Sequence, residues 1–343
     1  MSKPKDPARQ EPVYVTRAVM PDPAAYSAYL EKILDSAFLT NHGVHARELE
    51  AQLAAYLGIP YVALTANGTL ALQLCLRAAE LNGKRVVTTP FTYVATVSAL
   101  LWEGCDPVFA DIEEDTLCIS PRTVAKACED LCDDDVAGVL PVHIYGNACD
   151  VEGFEPFCRD QNLVLVYDAA QAFGSFYKGK SLFSYGDFSV ASFHATKTFH
   201  TAEGGGIFCH SREDYDKVAL LRACGHIGDR HISLGINAKM TELAAAMGLC
   251  ILPMVKDVIE QWGVVSRMYD TMLPENRLRR PLLSPGLESN NAYYPVIFES
   301  EAILLRALKA LNEQNIFPRR YFYPALNTLP YLQKRQRDRK SVV

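Results

Sequence analysis

The strongest constraint on the fold is an alternation of short apolar runs with longer helix-like runs between residues 61 and 167. The strand-like runs are 61–66, 85–89, 107–112, 137–143 and 163–167, and the helix-like runs between them are 70–81, 94–102, 121–131 and 153–161. Strands that alternate with helices form βα units, so the sequence predicts an α/β fold with a mostly parallel sheet. Such folds bind ligands at the carboxyl ends of their strands. The residues that follow predicted strands are Thr69, Tyr93, His143 and Asp168.

Two charged residues, one of them at such a strand end, suggest a specific chemistry. Lys197 closes the run 192–197, and Asp168 directly follows the apolar run 163–167. A lysine amine can form a Schiff base with the aldehyde of pyridoxal phosphate. A carboxylate can keep the pyridine nitrogen of that cofactor protonated, so that the ring accepts electrons. Either residue alone is more often a surface charge or a helix cap, but together with a phosphate site they predict pyridoxal phosphate.

A phosphate site is predicted where the first strand turns into the first helix of this series. Gly68 permits a tight turn and a close approach to a ligand, and Thr69 adds a hydroxyl donor. The exposed amides of a helix N-terminus bind anions. Tyr93 follows the next strand, where its ring could stack on a planar cofactor. Ordinary core packing is the alternative for Tyr93.

These motifs resemble the DegT/DnrJ group of pyridoxal phosphate-dependent nucleotide-sugar aminotransferases, which have the aspartate-aminotransferase-like fold. The resemblance extends from about Tyr14 to Leu332, and the segments that carry it are 67–69, 92–96, 141–146, 168–171, 192–197, 203–205 and 235–240. It implies a mostly parallel seven-stranded sheet in a large domain, followed by a smaller α+β C-terminal domain. It also implies that Lys197 is the Schiff-base residue and that Asp168 is the partner of the pyridine nitrogen.

The resemblance implies further cofactor contacts. Gln171 would lie near the cofactor 3-hydroxyl, and Tyr93 would stack on the ring. The residues that would hold the phosphate are Gly68, Thr69, Ser192 and Asn237. The last of these would come from a neighbouring subunit, so we expect a homodimer with shared active sites. Candidate substrate contacts are His143, Lys239, Arg320 and Tyr321. Many relatives carry arginine at the position of Lys239, and lysine lacks the planar fork of arginine. No metal site is predicted.

The resemblance also implies a reaction. An amino acid, with L-glutamate expected, would donate its amino group to a keto-sugar carried on a nucleotide. The motif before Lys197, with Glu-Gly-Gly after it, resembles enzymes that aminate C4. The tract 319–324 resembles that of enzymes acting on dTDP-4-keto-6-deoxyglucose. The product would serve the synthesis of O-antigen, in lipopolysaccharide, or of another glycan.

Four alternatives remain open at this point. The first is amination at C3 of the sugar, although relatives of that type tend to carry a different motif at the lysine. The second is a pyridoxal phosphate-dependent sugar dehydratase, in which the resemblance predicts histidine in place of Lys197. The third is a non-catalytic protein that keeps the fold. The fourth is an amino-acid aminotransferase, in which Arg319 or Arg320 would bind the substrate carboxylate.

Composition narrows the class of protein. The 343 residues are 49% hydrophobic, enough for one large core and a smaller one. A net charge of −6 argues against a nucleic-acid-binding surface. The ten cysteines include no CxxC pair, so reduced thiols are expected. The N-terminus lacks a hydrophobic signal region, and the longest apolar stretch, 243–255, is too short for a membrane span. We therefore expect a cytoplasmic protein.

The C-terminal third predicts a second domain. A long helical pattern, 239–273, is interrupted at Pro253, and a strand at 292–298 and a helix at 302–311 follow. We expect the large domain to span 14–250 and the small domain 251–332. Relatives usually continue with another strand and helix, so the small domain is expected to be shortened. The basic, aperiodic tail 333–343 is expected to be disordered, with polyanion binding as the alternative.

Overall fold

A seven-stranded sheet organises the chain in a computed structural model, which describes residues 11–129, 136–273 and 278–332. Numbered in chain order among all strands, its members are β2 (Tyr61–Thr65), β3 (Arg85–Thr88), β4 (Asp106–Phe109), β5 (Val136–Val139), β6 (Val164–Asp168), β9 (Phe188–Ser192) and β10 (Gly205–Cys209). The spatial order is β2-β10-β9-β6-β5-β3-β4. Only β10 runs antiparallel to its neighbours within this sheet, which confirms the predicted mostly parallel α/β fold.

The other strands have two residues each and form small sheets outside the central one. They are β1 (Val13–Tyr14), β7 (Phe176–Tyr177), β8 (Lys180–Ser181), β11 (His226–Ile227), β12 (Arg230–His231), β13 (Leu287–Glu288) and β14 (Ile316–Phe317). Strands β11 and β12 pair as an antiparallel hairpin. Strand β1 pairs in parallel with β14, which joins the beginning of the described chain to its C-terminal part.

Ten α-helices are found among the described residues. They are α1 (Pro23–Ser36), α2 (Val44–Leu57), α3 (Gly68–Ala78), α4 (Val94–Trp102), α5 (Pro121–Cys128), α6 (Val151–Asp160), α7 (Arg212–Arg222), α8 (Glu242–Ile251), α9 (Val255–Met272) and α10 (Glu301–Glu313). Helix α4 has the predicted bounds. Helix α3 begins two residues earlier than predicted, because the side chain of Asn67 caps it by accepting a hydrogen bond from the Leu70 amide.

Helices cover both faces of the sheet. Val166 of β6 packs in a cluster with residues of α3, whereas Leu165 and Tyr167 pack in another with Phe154 of α6. Alternate residues of a strand point to opposite faces, so the two clusters lie on either side of the sheet. Since helices cover both faces, a ligand site can form only at an edge of the sheet, and in such folds it lies at the carboxyl ends of the parallel strands.

The C-terminal third agrees with the sequence in its helices but not in its strand. The 3₁₀ turn Leu252–Met254 separates α8 from α9, which confirms the predicted interruption at Pro253. The strand predicted at 292–298 is wrong, since in this segment only Ile297 forms an isolated bridge, to Arg279. Just before this segment, the buried side chain of Asn290 donates to the carbonyls of Gln171 and Phe173, so the chain is held here by the loop after β6.

Four further expectations concern the domain boundary, the C-terminal tail, the cysteines and membrane spans. The domain division at residue 250 stays a prediction, and the tail 333–343 lies outside the described residues. Nine of the cysteines are described, and all nine are free thiols. Among the described helices, none combines the length and apolar character that a membrane crossing requires.

Candidate active site

A buried carboxylate marks the carboxyl end of β6. Asp168 is the last residue of that strand, and its Oδ2 accepts a hydrogen bond of 2.7 Å from the Thr96 hydroxyl. Its Oδ1 accepts one of 3.1 Å from the amide of Ala170. Burial raises the pKa of Asp168, and these two hydrogen bonds and the nearby charge of Lys197 oppose that rise. Burial outweighs these opposing contacts, so the pKa of Asp168 remains raised, and the two hydrogen bonds hold the carboxylate in place.

The amine of Lys197 faces the same site. Lys197 lies in the turn after β9, and its Nζ donates to the hydroxyl of Tyr293 at 3.5 Å. Burial lowers the pKa of this amine, while the charge of Asp168 acts in the opposite direction. A lowered pKa makes the neutral, nucleophilic form of a lysine more accessible. The structure thus brings together the two residues that the sequence singled out.

A cradle for an anion lies at the N-terminus of α3. Gly68 is the first residue of that helix, and a Cβ atom placed on it would lie 2.9 Å from Cβ and 3.3 Å from Oγ of Ser192. The half-buried Thr69 follows at the next position. The helix amides and the two hydroxyls can donate hydrogen bonds to a phosphate, and a side chain at position 68 would fill the space.

Two further residues predicted for the cofactor flank this site. Tyr93 precedes α4, its side chain is 54% exposed, and it is close enough to Lys197 to affect the pKa of that amine. Its ring is therefore open for stacking rather than part of the core. The Oε1 atom of the buried Gln171 accepts a hydrogen bond of 2.6 Å from the amide of Tyr145. The Gln171 side chain is thereby fixed within the loop that follows Asp168.

The expected substrate contact at His143 is wrong in this structure. His143 is fully buried, and its ring stacks on Tyr167 with a centroid distance of 4.6 Å. Its Nδ1 accepts from the amide of Cys149 at 3.1 Å, and burial lowers its pKa to about 3. A side chain without exposed surface cannot touch a substrate, so His143 is a neutral core residue beneath the site.

The two adjacent arginines of the tract 319–324 have different surroundings. Arg320 forms an ion pair of 2.9 Å with Glu301, whereas Arg319 lies over the ring of Tyr321. Tyr321 belongs to an aromatic cluster whose other members are Phe91, Tyr145, Tyr293 and Phe322. The Tyr293 hydroxyl joins this cluster to Lys197, so Tyr321 lies near the site, whereas Arg320 is paired with Glu301. The substrate contacts of Tyr321 and Arg320 stay predictions.

Asn237 and Lys239 lie beside the edge strand β2. The Ala66 amide donates to the carbonyl of Ala238, and Lys239 Nζ donates to Asn237 Oδ1 at 2.6 Å. Asn237 is exposed. Its contact with the phosphate of a neighbouring subunit stays a prediction, since a single chain contains only half of such a site.

Sequence reasoning did not assign two residues of the site, Thr96 and Tyr293. For Thr96 a signal existed, since it lies one helical turn after Tyr93 on α4 and so faces the same way. Tyr293 reaches the site from far along the chain, and no local pattern marks it.

The residues present fit pyridoxal phosphate. A lysine amine, a buried carboxylate, an open aromatic ring and an anion cradle match the aldehyde, ring nitrogen, ring face and phosphate of that cofactor. The fold and the site together define an enzyme of the aminotransferase class.

Comparison with known proteins gives the family. The sequence profile of the DegT/DnrJ/EryC1/StrS aminotransferase family matches residues 23–342. This is nearly the whole chain, and the chain therefore belongs to that family. The family resemblance inferred from the motifs is confirmed.

Individual relatives agree with this assignment. A dTDP-4-amino-4,6-dideoxy-D-glucose transaminase of Shigella dysenteriae is 37% identical over 321 residues, which cover 92% of this chain and 86% of the relative. The crystal structure of DesI with its TDP-sugar product superposes with a TM-score of 0.86 at 32% identity, over 95% of this chain and 83% of DesI. The PLP form of the putative sugar aminotransferase Spr1654 from Streptococcus pneumoniae gives a TM-score of 0.83 at 25% identity, over 93% and 87% of the two chains.

Proposed function

We propose that this chain transfers an amino group from L-glutamate to the C4 keto carbon of a nucleotide-linked 4-keto-6-deoxyhexose, such as dTDP-4-keto-6-deoxyglucose, with pyridoxal phosphate as cofactor. The observation that carries the proposal is the shared site of the Lys197 amine and the buried Asp168 carboxylate. The names of the Shigella relative and of the DesI complex support a nucleotide-linked sugar as substrate.

The residues have separate tasks in this reaction. When bound, pyridoxal phosphate supplies an aldehyde that takes up the amino group and a ring that withdraws electrons. Gly68, Thr69 and Ser192 would hold its phosphate, Tyr93 would cover its ring, and Gln171 would lie near its 3-hydroxyl. Asp168 would hold a proton at its ring nitrogen. The Lys197 Nζ atom, whose pKa burial lowers, would act as the base that takes a proton from the α-carbon of the amino donor.

The proposal extends to assembly and location. We infer a cytoplasmic homodimer in which Asn237 of each subunit completes the phosphate site of the other. The reactants of the enzyme would be two small molecules, the amino acid and the nucleotide-linked sugar, and the aminated sugar would enter glycan synthesis. The large domain, 14–250, would carry the cofactor, and the small domain, 251–332, would supply the wall formed by Tyr293 and Tyr321.

The substrate is tested with a panel of acceptors. Purified protein is incubated with L-glutamate and dTDP-, GDP- or UDP-linked 4-keto-6-deoxy-hexoses, with 3-keto isomers alongside, and products are identified by mass and NMR. We expect amination at C4 of one 4-keto sugar and none with Lys197→Ala protein. Amination at C3 alone, or loss of water without amination, would contradict the proposal.

The cofactor is tested by trapping. Protein purified with pyridoxal phosphate should absorb in the near-visible region, and borohydride should fix one pyridoxyl group on Lys197. Lys239→Ala is a matched control that should still be labelled at Lys197. A label on another lysine in the wild-type protein would overturn the assignment.

A further inference from the structure

Glu50 of α2 and Arg222 at the end of α7 form a buried ion pair beside the edge strand β2. Arg222 Nη1 lies 2.7 Å from Glu50 Oε1. Both side chains also contact the backbone of Leu64 in β2, whose amide donates to Glu50 at 3.0 Å and whose carbonyl accepts from Arg222 at 2.7 Å. An edge strand has backbone groups without a strand partner on one side, and this ion pair satisfies two of them.

The second oxygen of the Glu50 carboxylate is hydrogen-bonded as well. Glu50 Oε2 lies 2.7 Å from Nε2 of His42 and accepts from the Tyr215 hydroxyl at 3.1 Å. Burial acts to raise the pKa of Glu50, but the hydrogen bond from His42 and the charge of Arg222 lower it below its ordinary value. Contacts from several parts of the chain therefore hold one ionised pair in place.

The backbone of Arg222 contacts a second segment near the site. Its carbonyl accepts from the Ala238 amide at 3.0 Å, and the Ala238 carbonyl accepts from the Ala66 amide at 2.8 Å. Ala238 directly follows Asn237, and Ala66 lies two residues before Gly68. Arg222 is therefore hydrogen-bonded to both segments, through its side chain to β2 and through its carbonyl to the segment that carries Asn237.

We propose that the Glu50–Arg222 pair positions two phosphate contacts at once. One is Gly68, in the site of the same subunit, and the other is Asn237, which would complete the site of a neighbouring subunit. The inference rests on the proposed function, which assigns the phosphate of pyridoxal phosphate to these two residues. Arg222 acts through the backbone of its neighbours, so it is a positioning residue.

The energy of a buried ion pair favours positioning over a contribution to stability. Removing two charges from water costs about as much as their attraction returns, so such a pair adds little net stability. The guanidinium group, however, is planar and rigid, and its donors have fixed directions. Arg222 thus joins helix α2, the edge strand β2 and segment 237–239 in one geometry. A small shift of either phosphate contact would lengthen its hydrogen bond to the anion and weaken it.

Two pairs of neutral substitutions give the first test. Glu50→Gln with Arg222→Gln removes both charges together, so neither is left buried without a partner. Arg77→Gln with Glu103→Gln is the matched control, an ion pair of 2.6 Å between the last turn of α3 and the residue after α4. We expect the affinity for pyridoxal phosphate, measured by fluorescence titration, to fall by about 10-fold or more in the first variant and by less than about twofold in the control. Arg222→Lys, which keeps a charge opposite Glu50, should recover part of the affinity.

Amide hydrogen exchange separates positioning from stability. In cofactor-free protein, loss of the pair should speed exchange at the Ala66 and Ala238 amides by about 10-fold or more, through local opening. The Leu140 amide, which donates to the Val87 carbonyl within the sheet at 2.7 Å, should exchange as in wild type. If the double variant does not accumulate as folded protein, Arg222→Lys gives the same readouts, with smaller changes in the same direction. Equal acceleration at all three amides would show a role in stability alone and would contradict the inference.

Mixed dimers purified with two affinity tags test the effect on both subunits. A dimer of wild type and the double variant should contain no site of wild-type cofactor affinity, because one site loses the positioned Gly68 and the other the positioned Asn237. A dimer of wild type and Gly68→Ala should keep one such site. A wild-type site in the first dimer, or unchanged cofactor affinity in the folded double variant, would overturn the inference alone. Failure of the wild-type protein to bind pyridoxal phosphate would overturn the proposed function and, with it, this inference.

Discussion

The hydroxyl of Thr96 donates a hydrogen bond of 2.7 Å to the carboxylate of Asp168. The two residues are 72 positions apart and both are buried. The Thr96 hydroxyl is itself 2.9 Å from that of Thr92, so two hydroxyls in series support one carboxylate. A hydrogen bond to the ionised form lowers the pKa of a carboxyl group, so the Thr96 hydroxyl opposes the rise in the pKa of Asp168 that burial causes.

The first prediction follows from this contact. Thr96→Val removes a hydrogen bond that lowers the pKa of Asp168, so that pKa should rise. If the ionised carboxylate is required, activity falls as the pH drops through this pKa. The acid limb of the kcat/KM profile should therefore move to higher pH in the variant. Thr92→Val, which reaches Asp168 only through Thr96, should shift the limb less, and an unchanged acid limb in Thr96→Val would contradict the assigned role.

A second prediction concerns the carboxylate itself. Asp168→Asn keeps the shape of the side chain but cannot hold a proton at the ring nitrogen by its charge. Transamination should fall by about 100-fold or more, while part of the bound cofactor is retained. The measurements are steady-state turnover and cofactor absorbance on the same preparation. Turnover close to that of wild type would refute the role of Asp168.

A third prediction concerns the cradle at the start of α3. Alanine is a better helix residue than glycine, so Gly68→Ala should not weaken the helix. Its Cβ would lie 2.9 Å from the Ser192 Cβ, however, and overpacking costs about 1–3 kcal/mol. Affinity for pyridoxal phosphate, measured by fluorescence titration, should fall by about 10-fold or more.

The matched control for the cradle is the double variant Gly68→Ala with Ser192→Gly. Removing the Ser192 side chain relieves the clash, so part of the lost affinity should return despite the missing hydroxyl. Thermal melting of the cofactor-free proteins reports the cost of the clash, so Gly68→Ala should melt below wild type and the double variant should melt closer to wild type. Unchanged cofactor affinity in Gly68→Ala would show that the phosphate binds elsewhere.

The sequence predicted those features that depend on local pattern. The apolar pattern of residues 94–102 predicted helix α4 with its observed bounds. Asp168 directly follows an apolar run in the sequence, and this predicted a carboxylate at the end of a strand. Lys197 was found from a local motif, as the one lysine that closes the run 192–197. For these residues, the neighbours along the chain determine the environment.

Features that depend on distant contacts were not predictable in this way. His143 and Tyr93 both follow predicted strands, yet one is fully buried against Tyr167 and the other is half exposed. Arg319 and Arg320 are adjacent, and only the position of Glu301 in the folded chain distinguishes them. In each case, contacts with residues remote in sequence decide whether the side chain is buried, paired or free to reach a ligand.

The last prediction concerns the assembly of subunits and rests on exposed apolar residues in and just after the β11–β12 hairpin. Ile227 in β11 is 66% exposed, and Leu234, just after β12, is 74% exposed. Exposed apolar groups so close together are typical of an interface. Nearby, Lys239 Nζ donates to Asn237 Oδ1 at 2.6 Å, so the amide nitrogen of Asn237 is left to donate to an anion. We therefore predict that Asn237 completes a neighbouring subunit's phosphate site.

Mixing two inactive variants tests the shared site. In a heterodimer of Lys197→Ala and Asn237→Ala, one site receives both lesions and the other receives none. With random exchange half of the dimers are mixed, so roughly a quarter of the wild-type activity should return. Lys197→Ala mixed with Asp168→Asn is the control, since both lesions lie in the same subunit's half of the site and neither mixed site is intact. An active monomer in sedimentation, or no recovery between subunits shown to exchange, would exclude a site built from two chains.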